Sequence, residues 1–133
     1  MRGFIPHSTD DGHVPPWEHR AAGAITPKLG MALTESGGNL VIATGTTKPT
    51  YICMVEGTAA LTAGDLIPVI RVLPDTVFET TNSASLSGVN VGDKVTLHAS
   101  NGLQITGTKT SGVATIVCKD GDAAGSTVLV RFE

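Results

Sequence analysis

From residue 24 onward the chain is a train of short β-prone segments, each cut off by turn-forming residues. The segments are 31–34, 40–44, 51–56, 66–73, 76–80, 94–99, 103–106, 113–119 and 127–132. Between them lie "ESGGN", "GTTKP", "TAGD", "LPD", "VGD", "SNG", "TSG" and "DGDAAGS", all rich in Gly, Asp, Asn or Pro. Strands this short and this evenly spaced build a sandwich or a small barrel. No stretch carries a helical apolar stripe over three turns, and the one place with room for a short helix, 56–62, is bracketed by Gly57 and Gly64. The expected fold is mainly β: a small single-domain β-barrel or β-sandwich spanning 24–133. A chain of 133 residues is long enough for a core without disulfides.

One turn recurs. "AGDLIPVIRV" (63–72), "VGDKVTLHAS" (91–100) and "AGSTVLVRFE" (124–133) each run from a small or apolar residue through Gly and a polar residue into a strand, and "LGMALT" (29–34) is a shorter copy. The predicted geometry is a tight turn whose Gly takes positive φ before the chain re-enters the sheet. In the last strand Val128, Val130 and Phe132 fall on one face, Leu129 and Arg131 on the other. "LIPVIRVL" (66–73) is apolar on both faces, which marks a central strand or a subunit contact, with Ile67, Val69 and Leu73 as interface candidates. Pro68 within it fits an edge or a bulge better than a central ladder.

Residues 1–23 differ from the rest. They hold three of the four His, three of the seven Pro and the only Trp, with no periodic apolar pattern. They read as an extended, flexible N-terminal arm without a core of its own. Its large side chains, Phe4, Ile5 and Trp17 with Pro15 and Pro16, are candidates for anchoring it to another protein. An arm of this kind adds a strand to a partner's loop while an aromatic fills a pocket.

Charged residues make up only 16% of the chain against a usual quarter, and such a lightly charged surface suits a component of an assembly. The net charge of −3 argues against nucleic acid as a partner. No apolar run approaches the ~20 residues that span a bilayer, so no membrane partner is expected, and the N-terminus lacks the apolar core of a signal peptide. Cys53 and Cys118 each sit in an apolar run and read as two buried thiols of a reduced compartment.

Catalytic patterns are absent from the sequence. "ATGTTKPT" (43–50) superficially suits a phosphate loop, but the first glycine of G-x-x-x-x-G-K-[ST] is misplaced and Pro49 pushes Lys48 toward extended geometry. "TYICMV" follows where a helix would have to start. His7, His13 and His19 are too evenly spread along an arm to converge on a metal. His98 reads as a strand residue that faces solvent or is satisfied locally. "GDKV" (92–95) resembles a carrier-domain lysine hairpin only faintly, and "DGD" (120–122) lacks the remaining ligands of a calcium loop. The expectation is a non-enzymatic protein with neither cofactor nor metal. Its alternative is a small ligand- or glycan-binding β-barrel module of a phage or cell-surface assembly.

Residues 24–55, "AITPKLGMALTESGGNLVIATGTTKPTYICMV", resemble the opening of small bacteriophage head decoration (capsid cement) proteins, including the lambda-like type. Ile25-Thr26-Pro27, Leu33, a polar turn, Leu40-Val41, Gly45-Thr46-Thr47 and the following apolar strand carry the likeness. "GDLIPVIRVLPDTVFETTNSA" and "GDKVTLHASNGLQIT" look like products of prophage structural-gene clusters. The resemblance implies a homotrimer that binds the major capsid protein on the outer surface of the expanded capsid and stabilises the head. It further implies synthesis in the bacterial host cytoplasm, residence on the virion, and an arm that becomes ordered on the shell.

Overall fold

The recurring turn sets the architecture. Gly30, Gly64, Gly92 and Gly125 have φ of 84°, 99°, 95° and 86°. Each is the third residue of a four-residue turn, closed by Met31 N to Lys28 O (3.0 Å), Asp65 N to Thr62 O (3.0 Å), Asp93 N to Asn90 O (3.0 Å) and Ser126 N to Ala123 O (3.1 Å). Type II turns need positive φ at that position, which glycine supplies without strain. Asp65 and Asp93 add a side-chain bond, accepting the Thr62 and Asn90 amides at 3.0 and 2.9 Å.

The structure, a computed structural model, describes residues 2–12 and 14–133. Among the described residues there are eleven strands: β1 (Ile5–Thr9), β2 (Trp17–Ala21), β3 (Ala32–Ser36), β4 (Asn39–Ile42), β5 (Tyr51–Cys53), β6 (Leu66–Arg71), β7 (Thr76–Asn82), β8 (Lys94–Val95), β9 (Gln104–Ile105), β10 (Ala114–Lys119) and β11 (Thr127–Arg131). All nine segments expected from the sequence contain a strand. No helix occurs among the described residues. The 56–62 stretch is loop, its Gly57 and Leu61 amides bonding to Pro27 O and Ile25 O (both 2.8 Å).

Two sheets pack face to face in a sandwich-like domain. One has the order β1-β7-β11-β10-β8, with β9 parallel to the end of β7; the other has the order β2-β6-β5-β3-β4, all antiparallel. Between them lies a core that includes Phe4, Ile52, Ile70, Phe78, Leu97, Ile116, Val130 and Phe132. As expected, Val128, Val130 and Phe132 point inward, at most 1% exposed.

The second sheet also curls. Its edge strands meet where Ala22 bridges Leu40, with Gly23 N donating to Leu40 O at 2.8 Å. Leu33, Leu40, Tyr51, Cys53, Ile67 and Val69 fill the concave side, under Ile25, Val55 and Leu61 from the loops. The middle of β6 is thus covered on both faces, Ile70 by the core between the sheets and Ile67 and Val69 by the concave side, which is why it is apolar on both, while Leu66 at its start stays exposed. Ile67 and Val69 are 3% and 0% exposed within this one chain, so they present no surface to a second copy, and Leu73 is half-buried.

Pro68 sits in the middle of β6, between β2 and β5, rather than at an edge. Met54 N donates to Pro68 O at 3.0 Å, so the backbone polar groups at this position face β5. The missing N–H therefore falls just past Cys53, the last residue of β5, and leaves the β2 ladder untouched.

The extended arm is not present. β1 pairs with β7 (Ile5 opposite Glu79) and β2 pairs with β6 (Trp17 opposite Ile70), so the N-terminal segment supplies one edge strand to each sheet. Phe4 is wholly buried, its ring 5.1 Å from that of Phe132 in an edge-on contact. The backbone crosses itself closely here: Gly3 N and Phe4 N donate to Leu29 O and Gly30 O at 2.9 and 2.7 Å. A Cβ on Gly30 would stand 2.7 Å from Phe4 N, so only glycine permits the approach. After β1, Asp10 accepts two bonds from Arg131 at 2.8 and 3.0 Å, and this hydrogen bonding lowers the Asp10 pKa. The β1 and β2 ladders come from partners some 45 to 75 residues distant, which local apolar periodicity does not register.

Candidate functional site

Of the proposed anchors, Phe4 belongs to the core and Ile5 and Pro15 are half-buried, whereas Pro16 and Trp17 are exposed. The β2–β6 register puts Trp17, His19 and Ala21 on the same face as Ile70, Pro68 and Leu66. Trp17 is 57% and Leu66 67% exposed, so two large apolar side chains and the Pro68 ring share a strip that carries no Lys, Arg, Asp or Glu. Val14, 74% exposed, precedes it by three residues. An exposed Trp on an uncharged apolar strip is what binding hot spots are made of. The sequence singled out Trp17 but not Leu66, because only the strand register unites them.

The opposite face of β2 has another character. Glu18 and Arg20 stand opposite Val69 and Ile67 and so project to the concave side of the curled sheet, at its mouth. Arg71 bonds Glu18 through Nε (3.0 Å) and Nη2 (2.9 Å). Arg20 reaches Glu35 on β3 at 3.0 Å and stacks over the Tyr51 ring, 5.0 Å from its centre. The Glu18 charge and hydrogen bond raise the Arg71 pKa further, so that guanidinium is permanently charged. These five residues are scattered over some fifty positions, and no motif in the sequence announces them.

The loop that superficially suited a phosphate cradle runs from β4 through a turn at Gly45-Thr46 into β5, with Lys48 exposed and Pro49 buried. No helix follows it. His98 is satisfied locally, its Nδ1 accepting from Ser100 N and Asn101 N at 3.1 and 3.2 Å. His7 and His19 lie on different sheets, and His13 lies outside the described residues. Among the described residues no three His, Cys, Asp or Glu side chains are grouped to hold a metal. Among the described residues no helix is long and apolar enough to cross a membrane.

The cysteines part company. Cys53 is buried, and burial pushes its thiol pKa up, while Cys118 is exposed. The ladder between β10 and β11 shifts register between Ile116 and Cys118, so the apolar run around Cys118 does not keep it inside. Alkylation of the native protein at neutral pH is expected to modify one thiol per chain, and unfolded protein two; two modified thiols in the native state would contradict the Cys53 environment.

Fold and surface together define a small all-β sandwich with an uncharged apolar strip on one side of an edge strand and an ion-paired mouth on the other. No protein-family model matches the chain, and no curated protein matches it.

Proposed function

We propose that this chain is a non-enzymatic structural protein of a bacteriophage or prophage head, which binds the outer surface of the capsid and stabilises it. The observation that carries the reading is the Trp17–Pro68–Leu66 strip on an edge strand, an uncharged apolar surface of the kind that docks on protein. The likeness of residues 24–55 to decoration proteins supports the same reading and supplies the partner, the major capsid protein, and the homotrimeric state. The low content of charged residues suits a chain that spends its life packed on a shell. In this reading the anchor is a rigid strip held by the sheet, with Pro16 and Trp17 at its tip.

The test mixes purified protein with expanded, undecorated capsids and images the shells. Native protein is expected to decorate them, and bare shells would overturn the function. Trp17→Ala is expected to weaken attachment at least tenfold, equivalent to about 1.4 kcal/mol or more, with the circular dichroism spectrum unchanged. Full occupancy by Trp17→Ala at the native concentration would remove the strip from the contact.

A further inference from the structure

At the mouth of the curled sheet every carboxylate already has its cation, but one cation has no carboxylate. Arg71 neutralises Glu18 and Arg20 neutralises Glu35, whereas Lys48 has no partner among the described residues. Lys48, Arg71 and Glu35 line a cavity of about 510 Å³ together with Pro49, Tyr51 and Val72. That volume is in the range of small-molecule sites, and barrel mouths are a common place for them.

The cavity is built rather than incidental. Tyr51 is 5% exposed and held beneath Arg20, and buried Pro49 fixes the backbone that carries Lys48. Arg71 is positioned by its two bonds to Glu18. Two cations, Lys48 and Arg71, and one carboxylate, Glu35, therefore line the site beside an apolar wall of Tyr51, Pro49 and Val72, in a chain whose net charge is −3. Positive charge concentrated at a cleft in an acidic protein attracts an anion. The wall and the volume call for more than a bare ion.

We infer that this mouth binds a small organic carboxylate, its charge on Lys48 and Arg71 and its body, the size of a sugar ring or an amino acid, against Tyr51, Pro49 and Val72. Glu35 is left at the rim to accept a bond from a ligand hydroxyl or amide. This site lies on the concave side of the sheet, away from the Trp17 strip, and stands whether or not the protein decorates capsids.

Amide chemical-shift titrations of the full chain test it with four probes: glucuronate, N-acetylaspartate, glucose and inorganic phosphate. Saturable shifts confined to the Lys48–Tyr51 and Arg71–Val72 amides are expected with at least one of the two carboxylates. The tighter of the two distinguishes a sugar body from an amino-acid body. Lys48→Gln is expected to keep the native spectrum elsewhere, since the Lys48 side chain makes no hydrogen bond or ion pair among the described residues, and to bind about tenfold more weakly. The proposal is overturned if neither carboxylate saturates, if glucose binds as well as glucuronate, if phosphate binds as tightly as either carboxylate, or if Lys48→Gln binds undiminished.

Discussion

Phe4→Ala is expected to lower the stability of the domain by about 3–5 kcal/mol, the usual cost of emptying an aromatic site in a core. Phe4 has no exposed surface, and its ring packs edge-on against Phe132, which in turn lies 5.6 Å from Phe78. Alanine there removes one ring of a three-ring cluster that spans the N-terminal segment, β7 and the C-terminus. The vacated space cannot close easily, because Gly3 and Gly30 already hold their backbones in contact. The measurement is the urea midpoint with the slope unchanged. A native midpoint for Phe4→Ala would mean that the segment is a detachable arm after all.

Asn82→Asp is expected to cost a similar amount at neutral pH, about 3–5 kcal/mol, for an electrostatic reason. Asn82 is fully buried at the end of β7, and its Nδ2 donates to Ala84 O at 2.8 Å and Ala123 O at 3.0 Å, with Asp122 O at 3.4 Å. Its backbone is held to the same turn, Asn82 N to Ser126 O at 3.2 Å and Gly125 N to Asn82 O at 2.8 Å. Aspartate keeps the shape but replaces the donor with an acceptor that faces three carbonyl oxygens. Burial and those carbonyls disfavour the charged form, so the folded-state pKa of the new carboxyl would lie above its unfolded value. The deficit is then complete above the folded pKa and shrinks as pH falls toward the unfolded value, about 3.9. Unfolding curves of both proteins at pH 7 and pH 4.5 check the sign. A deficit that does not shrink on acidification would show that the carbonyls do not face this side chain.

The part of the fold that was legible in the sequence is the part written in local chemistry. Turn residues delimit every strand from β3 to β11, and the glycines of the recurring turn all take the positive φ that their position demands. β1 and β2 were not legible. "IPHST" and "WEHRA" lack apolar alternation because each is an edge strand, one face partly wet, and each owes its conformation to a ladder partner far along the chain. The same gap explains the interface reading of Ile67 and Val69. Apolarity on both faces of a strand says that both are covered, not by what. Trp17 was visible by its type alone, whereas its place on one face with Leu66, and the convergence of Glu18, Arg20, Glu35, Tyr51 and Arg71, exist only once the register of β2 on β6 is known. Lys48 drew notice for a motif it does not form, and its actual surroundings come from the curl of the sheet.

The placement of β1 also bears on the order of events when the chain is made. β1 leaves the ribosome first, yet its ladder partner is Thr76–Glu79, and Phe4 waits for Phe132 at the far end. Five strands of the curled sheet are synthesised before the first strand has anything to pair with. Until then an unpaired edge and a bare phenylalanine remain in the open. A topology dominated by such distant contacts folds slowly and is exposed to aggregation meanwhile. Of all the strands β1 thus waits longest for its ladder partner, although it is the first of them to be made.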